Sequence, residues 1–221
     1  MKKDNFKHIG DRVKKDYESF WDNFITDPAN FMQSAIEPFN NPIRVRIAQE
    51  AEGDNVLDVG SATCISYPLF KDKKDYVGID FTKNFLKTAK IQHKELTVVH
   101  GDSRQLPFAD ESFDSVVCKD VFIHLGPEDY KKVIMEMWRV AKKQILLVFG
   151  SPLQSTKTEY NLYVQFPEHP EKGVFYGSNY NREEIINFVS QLPNFGSYKI
   201  IEGIQQENSS TFERELVIVK K

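Results

Sequence analysis

The sequence predicts a doubly wound α/β domain whose mostly parallel sheet ends in an antiparallel pair of strands, and three observations carry this. Five short apolar runs bounded by breakers fall between Asn55 and Phe149. Stretches of helical periodicity separate several of them. The last two apolar runs have no helix between them, so they are expected to pair antiparallel. Strands that alternate with helices need right-handed crossovers and give a parallel sheet.

The first run is Asn55 to Val59 (NVLDV), closed by Gly60. The others are Asp75 to Asp80 (DYVGID), Leu96 to His100 (LTVVH), Phe113 to Cys118 (FDSVVC) and Gln144 to Phe149 (QILLVF). They are short and rich in β-branched residues, as strands buried on both faces are. Thr82 to His93 carries Phe85, Leu86 and Ala89 at helical spacing, with Thr82 as N-cap. Pro127 to Lys143 reads as the strongest helix, because Tyr130, Val133, Ile134, Met137, Trp138 and Ala141 share one face. Pro127 suits a first helical position, and Lys142 and Lys143 suit the last turn. Asn181-Arg182-Glu183-Glu184 reads as a capping box that opens a helix running through Leu192. Tyr198 to Ile204 and Glu213 to Val219 form the final pair.

The 221 residues suit one domain rather than two cores. Its expected parts are a helical cap over residues 1–53, a core over 54–150, an insertion over 151–180, and a helix with antiparallel strands over 181–221. Pro42 after Asn41 starts a helix that leads into the first strand. The insertion is rich in Pro, Gly and Tyr, and Tyr160, Tyr163, Tyr176 and Tyr180 are expected to wall a substrate pocket.

Charged residues make up 28% of the chain and the net charge is −3, without the basic excess of a nucleic-acid footprint. No apolar run approaches the roughly 20 residues that span a bilayer. The polar N-terminus lacks the apolar stretch of a secretory signal, so a cytoplasmic location with no membrane partner is the expectation. Two cysteines, Cys64 and Cys118, form neither a disulfide framework nor a C-x-x-C metal pair. The sequence does not indicate an oligomeric state.

In an open parallel sheet a ligand binds outside the carboxyl ends of the strands. After the first strand comes Asp58-Val59-Gly60-Ser61-Ala62-Thr63-Cys64, small residues that let backbone approach a ligand. After the second comes Asp80, whose two oxygens can accept both hydroxyls of a ribose, with Phe81 offering an apolar face to a base. After the third comes Gly101-Asp102-Ser103, where a carboxylate can accept from an exocyclic amine. After the fourth come Lys119, Asp120 and, at the turn, His124, the candidate for acid–base work on an acceptor.

Together these segments resemble the class I S-adenosylmethionine-dependent methyltransferases, in their broad small-molecule branch, from Asn55 to about Gly150. NVLDVGSATC resembles that family's first motif, VGIDFT its second, and GDSRQLPFADESFDSVVCKDVFIHL its third and fourth. The resemblance implies a Rossmann-like seven-stranded sheet and S-adenosylmethionine as cofactor. It implies that Asp58, Gly60, Ser61 and Ala62 meet the methionine part, Asp80 the ribose, Asp102 and Ser103 the adenine, and Lys119 the methionine portion again. An N-terminal helix that carries Tyr17 would close over the cofactor. The motif's second and third glycines are Ala62 and Cys64 here; a positive φ at either would cost about 1 kcal/mol. The activity implied is in-line methyl transfer to a small molecule. The alternative is a non-catalytic cofactor-binding or partner protein of the same fold.

Overall fold

The computed structural model describes residues 38–126, 128–150, 153, 156–164, 174–205 and 213–221, with backbone alone at 38, 161–164, 174–176 and 205. Tyr17 and Pro127 lie outside the described residues.

Four α-helices and nine strands are described: α1 (Pro42–Glu50), β1 (Asn55–Val59), β2 (Asp75–Asp80), α2 (Lys83–Gln92), β3 (Thr97–His100), β4 (Phe113–Lys119), α3 (Asp129–Val140), β5 (Ala141–Val148), β6 (Glu159–Val164), β7 (Val174–Asn179), α4 (Arg182–Val189), β8 (Ser197–Gln205) and β9 (Glu213–Lys220). Seven strands form one sheet in the order β3-β2-β1-β4-β5-β9-β8. The first five are parallel, whereas β9 runs antiparallel to both β5 and β8. The order reverses between β1 and β4, so the crevice at their carboxyl ends is the switch point where such sheets bind ligands.

Both faces of the sheet are covered. Leu57, Val116, Leu147 and Val217 pack with Val133, Met137, Ile185 and Val189 of α3 and α4 on one side. Val56, Val117, Leu146 and Ile218 pack with Ile43 and Ile47 of α1 and Ala89 of α2 on the other. This two-sided burial explains why the strands read as continuous apolar runs instead of alternating. Asn41 caps α1 as expected, its side chain accepting from the Arg44 N–H at 3.2 Å.

Three expectations are corrected. The helix read as Pro127 to Lys143 spans Asp129–Val140, and Ala141 already opens β5. Pairing of Ala141 with Phe113 of β4 takes those residues into the sheet, although their apolar spacing still fits the helix. Lys143 binds Asp114 at 3.1 Å instead of closing a helical turn. The helix read through Leu192 ends at Val189. Its capping box is half formed: the Asn181 side chain accepts from the Glu184 N–H at 3.0 Å, but Thr158 stands in for the return arm, with its hydroxyl bound to the Glu184 carboxylate and accepting from the Asn181 N–H at 2.9 Å. Finally, the insertion at 151–180 contains the antiparallel pair β6 and β7 as a separate two-stranded sheet.

Leu146 is fully buried in the interior strand β5. Leu146→Ala should cost about 3 kcal/mol in urea denaturation; a loss below about 1 kcal/mol would show that this face is not close-packed.

Candidate cofactor site

Gly60 follows β1 with φ +69°, and a Cβ there would come 2.1 Å from Val121 Cγ2. The turn after β1 is thereby packed onto the turn after β4, and only glycine fits. The Gly60 and Ser61 N–H groups both donate to the Ile79 carbonyl, at 2.8 and 3.1 Å, which ties the loop to β2.

Ala62 and Cys64 both adopt positive φ, +49° and +54°. Each pays about 1 kcal/mol for it, and each is compensated. The conformation at Ala62 turns its N–H onto Asp80 Oδ2 at 2.9 Å, a charge-assisted bond worth about 1.5–3 kcal/mol. Cys64 buries its thiol fully, against the open face of Gly78, where a Cβ would meet Cys64 Sγ at 2.4 Å. Burying that side chain contributes on the order of 1 kcal/mol. Burial also pushes the Cys64 thiol pKa up to about 12, so it stays neutral and is no nucleophile.

Asp80 ends β2 and is only 6% exposed. Besides Ala62 it accepts the Thr82 N–H on Oδ1 at 2.8 Å. Burial raises its pKa, opposed by these two backbone bonds. Each oxygen keeps a further lone pair. Phe81 beside it is half-buried, and its carbonyl lies 2.9 Å from His100 Nε2.

Asp58, inside β1, is buried and accepts a 2.5 Å bond from the Tyr76 hydroxyl. Burial raises its pKa to about 6, against the pull of Tyr76, Arg44 and Lys119.

Beyond β3, Asp102 is gripped by Arg104: Nη2 donates to Oδ2 at 2.6 Å, and Nε and the backbone N–H donate to Oδ1, each at 2.9 Å. Arg104 Nη1 also binds Asp129 of α3 at 3.0 Å. Ser103 sits partly buried in the turn between them. The following loop is fastened to α3: the Leu106 N–H donates to Glu136 at 2.7 Å, while Arg139 donates to the Leu106 and Phe108 carbonyls at 3.0 and 2.8 Å.

At the end of β4, Lys119 binds Asp120, which has φ +61° and also holds Arg214 of β9 at 3.3 Å. Burial raises the Asp120 pKa, but Lys119 and Arg214 outweigh it and hold the carboxyl below its usual range. Burial and the Arg44 cation lower the Lys119 pKa. Arg44 itself, from α1, donates to Ser66 Oγ at 2.6 Å. His124 closes a 3₁₀ turn, Phe122–His124, and is partly buried. That turn is anchored from behind by Tyr180, whose hydroxyl donates to the Phe122 carbonyl at 2.8 Å. Tyr180 is 1% exposed, so it is a core anchor and does not wall a pocket as expected. Tyr160 leans edge-on against it at 6.0 Å.

The structure thus brings Asp58, Gly60, Ser61, Ala62, Asp80 and Lys119 to neighbouring strand ends, with Phe81, Asp102, Ser103 and His124 on the adjoining turns. Sequence reasoning gave no site role to Arg104, Arg214, Glu136 or Arg139. The available signal was their spacing: Arg104 stands two residues after Asp102, and Glu136 and Arg139 form an i, i+3 pair.

The fold is that of the class I S-adenosylmethionine-dependent methyltransferases. Residues 57–149 match the family model described as a methyltransferase domain. The chain is 34% identical over 116 residues to a demethylmenaquinone methyltransferase from Renibacterium salmoninarum, covering 49% of this chain and 48% of that one. It is 35% identical over 99 residues to a phosphatidylethanolamine N-methyltransferase from Cereibacter sphaeroides, covering 42% and 48%. It spans about half the length of these curated relatives. Its fold is similar to that of magnesium protoporphyrin IX methyltransferase from Synechocystis, solved with S-adenosylmethionine bound, with a TM-score of 0.55, 17% identity, and 87% and 81% of the two chains covered. Among the described residues no helix is long and apolar enough to cross a membrane.

Replacing Ala62 by glycine removes the strain at φ +49°, and Ala62→Gly should raise stability by up to about 1 kcal/mol in thermal or urea unfolding. A loss of stability would mean that the Asp80 bond alone does not set this conformation. Asp58 titrates near 6 in the fold against 3.8 for the ordinary carboxyl. The native state therefore binds more protons than the unfolded state between those values, and stability falls as pH rises through the window. Wild type relative to Asp58→Asn should lose about 2 kcal/mol between about pH 4.5 and 7; parallel pH profiles of the two proteins would contradict this.

Proposed function

We propose that the chain binds S-adenosylmethionine and transfers its methyl group to a small-molecule acceptor. The observation that carries this is the placement of complementary groups along the switch-point crevice: a buried carboxylate after β2, a second carboxylate after β3, and two cations where β1 and β4 end. The donor set fits the three parts of the cofactor. Asp80 offers its free lone pairs to the ribose hydroxyls, and Asp102 and Ser103 lie where the adenine edge would be read, with Phe81 and Leu106 beside the ring. Arg44 and Lys119 offer positive charge to the methionine carboxylate next to the Gly60 turn. Tyr17 is retained as the expected cap residue.

When bound, the cofactor supplies an electrophilic methyl group on a sulfonium. The protein's own work is alignment and exclusion of water, which suffices for an in-line displacement. Packing of Val121 on Gly60 holds the β4 turn against the cofactor loop. His124, on that turn, is placed to take a proton from an oxygen or nitrogen acceptor. The names of the relatives make a demethylated quinone and phosphatidylethanolamine the first acceptors to try.

One observation favours the alternative, a non-catalytic protein of the same fold: Asp102 is already gripped by Arg104, so adenine must share or displace that contact. Calorimetry with S-adenosylmethionine and S-adenosylhomocysteine, with NAD and ATP as controls, separates the two. Micromolar binding of the first pair alone is expected. Asp80→Asn should weaken S-adenosylhomocysteine at least about 10-fold, and clearly more than it weakens a 2′,3′-dideoxy analogue, which would feel only the loss of a loop bond. Equal losses for both ligands would remove the ribose assignment, and no binding by the wild type would favour the partner-protein reading.

A further inference from the structure

Charge is segregated along this chain. Residues 71–94 contain seven lysines and three aspartates, a net +4 in a protein whose total is −3. The lysines Lys83, Lys87 and Lys90 recur at spacings of four and three, so they lie on one stripe of α2, and Lys94 follows just beyond the end of the helix at Gln92. All four are exposed. Ile91 lies on the same stripe and is 77% exposed, the most exposed large apolar residue among those described. The opposite face of α2 is buried through Phe85, Leu86 and Ala89. Lys71 and Lys74 stand on the adjoining segment, interleaved with Asp72 and Asp75 and joined to the end of α2 through the Tyr67 ring, which packs against His93 at 5.0 Å and whose hydroxyl donates to Glu95 at 3.2 Å.

An aliphatic side chain set among lysines is the pattern of a surface that lies on an anionic bilayer, with the cations at the headgroups and the apolar residue just below them. A nucleic-acid surface would use arginine and aromatic stacking, and the stripe has neither. Lys90 is partly spent within the fold, donating to the Lys94 and Leu96 carbonyls at 2.5 and 2.7 Å. We propose that the exposed stripe of α2 is a peripheral docking surface for anionic lipid membranes. The stripe begins three residues after Asp80, so docking would set the crevice beside the lipid surface. The proposal is independent of the methyltransferase reading.

The test is co-sedimentation of the full chain with vesicles of phosphatidylglycerol mixed with phosphatidylcholine, against phosphatidylcholine alone, at low and high salt. Binding is expected only to the anionic vesicles and should disperse at high salt. The triple variant Lys83→Glu, Lys87→Glu, Lys94→Glu should bind at least about 50-fold more weakly. Ile91→Ser should weaken binding several-fold with its salt dependence kept. Thermal unfolding and S-adenosylhomocysteine binding of the variants report folding separately. No binding of wild type to anionic vesicles at low salt, binding unchanged in the folded triple variant, or tighter binding to single-stranded RNA than to vesicles would each overturn the proposal.

Discussion

The arrangement at the switch point depends on one buried carboxylate. Asp80 joins the loop after β1 to the start of α2 by accepting the N–H groups of Ala62 and Thr82. The strain at Ala62 and Cys64 is affordable because that bond and the burial of the Cys64 thiol each match or exceed its cost. Without Asp80 the loop would lose the bond that offsets the left-handed conformation of Ala62. The residue proposed to read the ribose is thus also the one that shapes the cradle beside it.

A second constraint fixes the far side of the crevice. Gly60 leaves no room for a Cβ against Val121, so the turns after β1 and β4 pack directly on one another. The β4 turn is held from behind by Tyr180, and Lys119, Asp120 and Arg214 knit it to β9. On the other flank, Arg139 and Glu136 of α3 clamp the loop at Leu106 to Phe108. Side chains that look like solvated polar residues in the sequence therefore carry the loops on which a cofactor would rest. This is the usual division in an open α/β sheet, where rigid strands position loops that hold the chemistry.

Four left-handed residues lie where the chemistry is proposed, Gly60, Ala62 and Cys64 after β1 and Asp120 after β4, while Gly53, Glu111, Gly150, Asn194 and Gly203 lie elsewhere. Strain of this kind persists only where surrounding contacts over-determine it. Here those contacts are visible as the Asp80 bond, the Cys64–Gly78 contact and the Lys119–Asp120–Arg214 network.

The sequence by itself determined the seven strands of the main sheet, the parallel run of the first five, the antiparallel close and the placement of Asp80, Asp102 and Lys119 at strand ends, because burial on both faces and breaker residues write themselves into local composition. It also marked the glycine-poor loop as a departure from the pattern. Only the tertiary structure decided where helices gave way to strands, as at Ala141, because pairing with Phe113 is a long-range contact that local spacing does not contain. The same holds for the φ of Ala62 and Cys64, for the grip of Arg104 on Asp102, and for Tyr180, which composition assigned to a pocket wall and packing placed in the core. Each depends on a partner distant in the chain or on a local fit between side chains, and neither is encoded in periodicity.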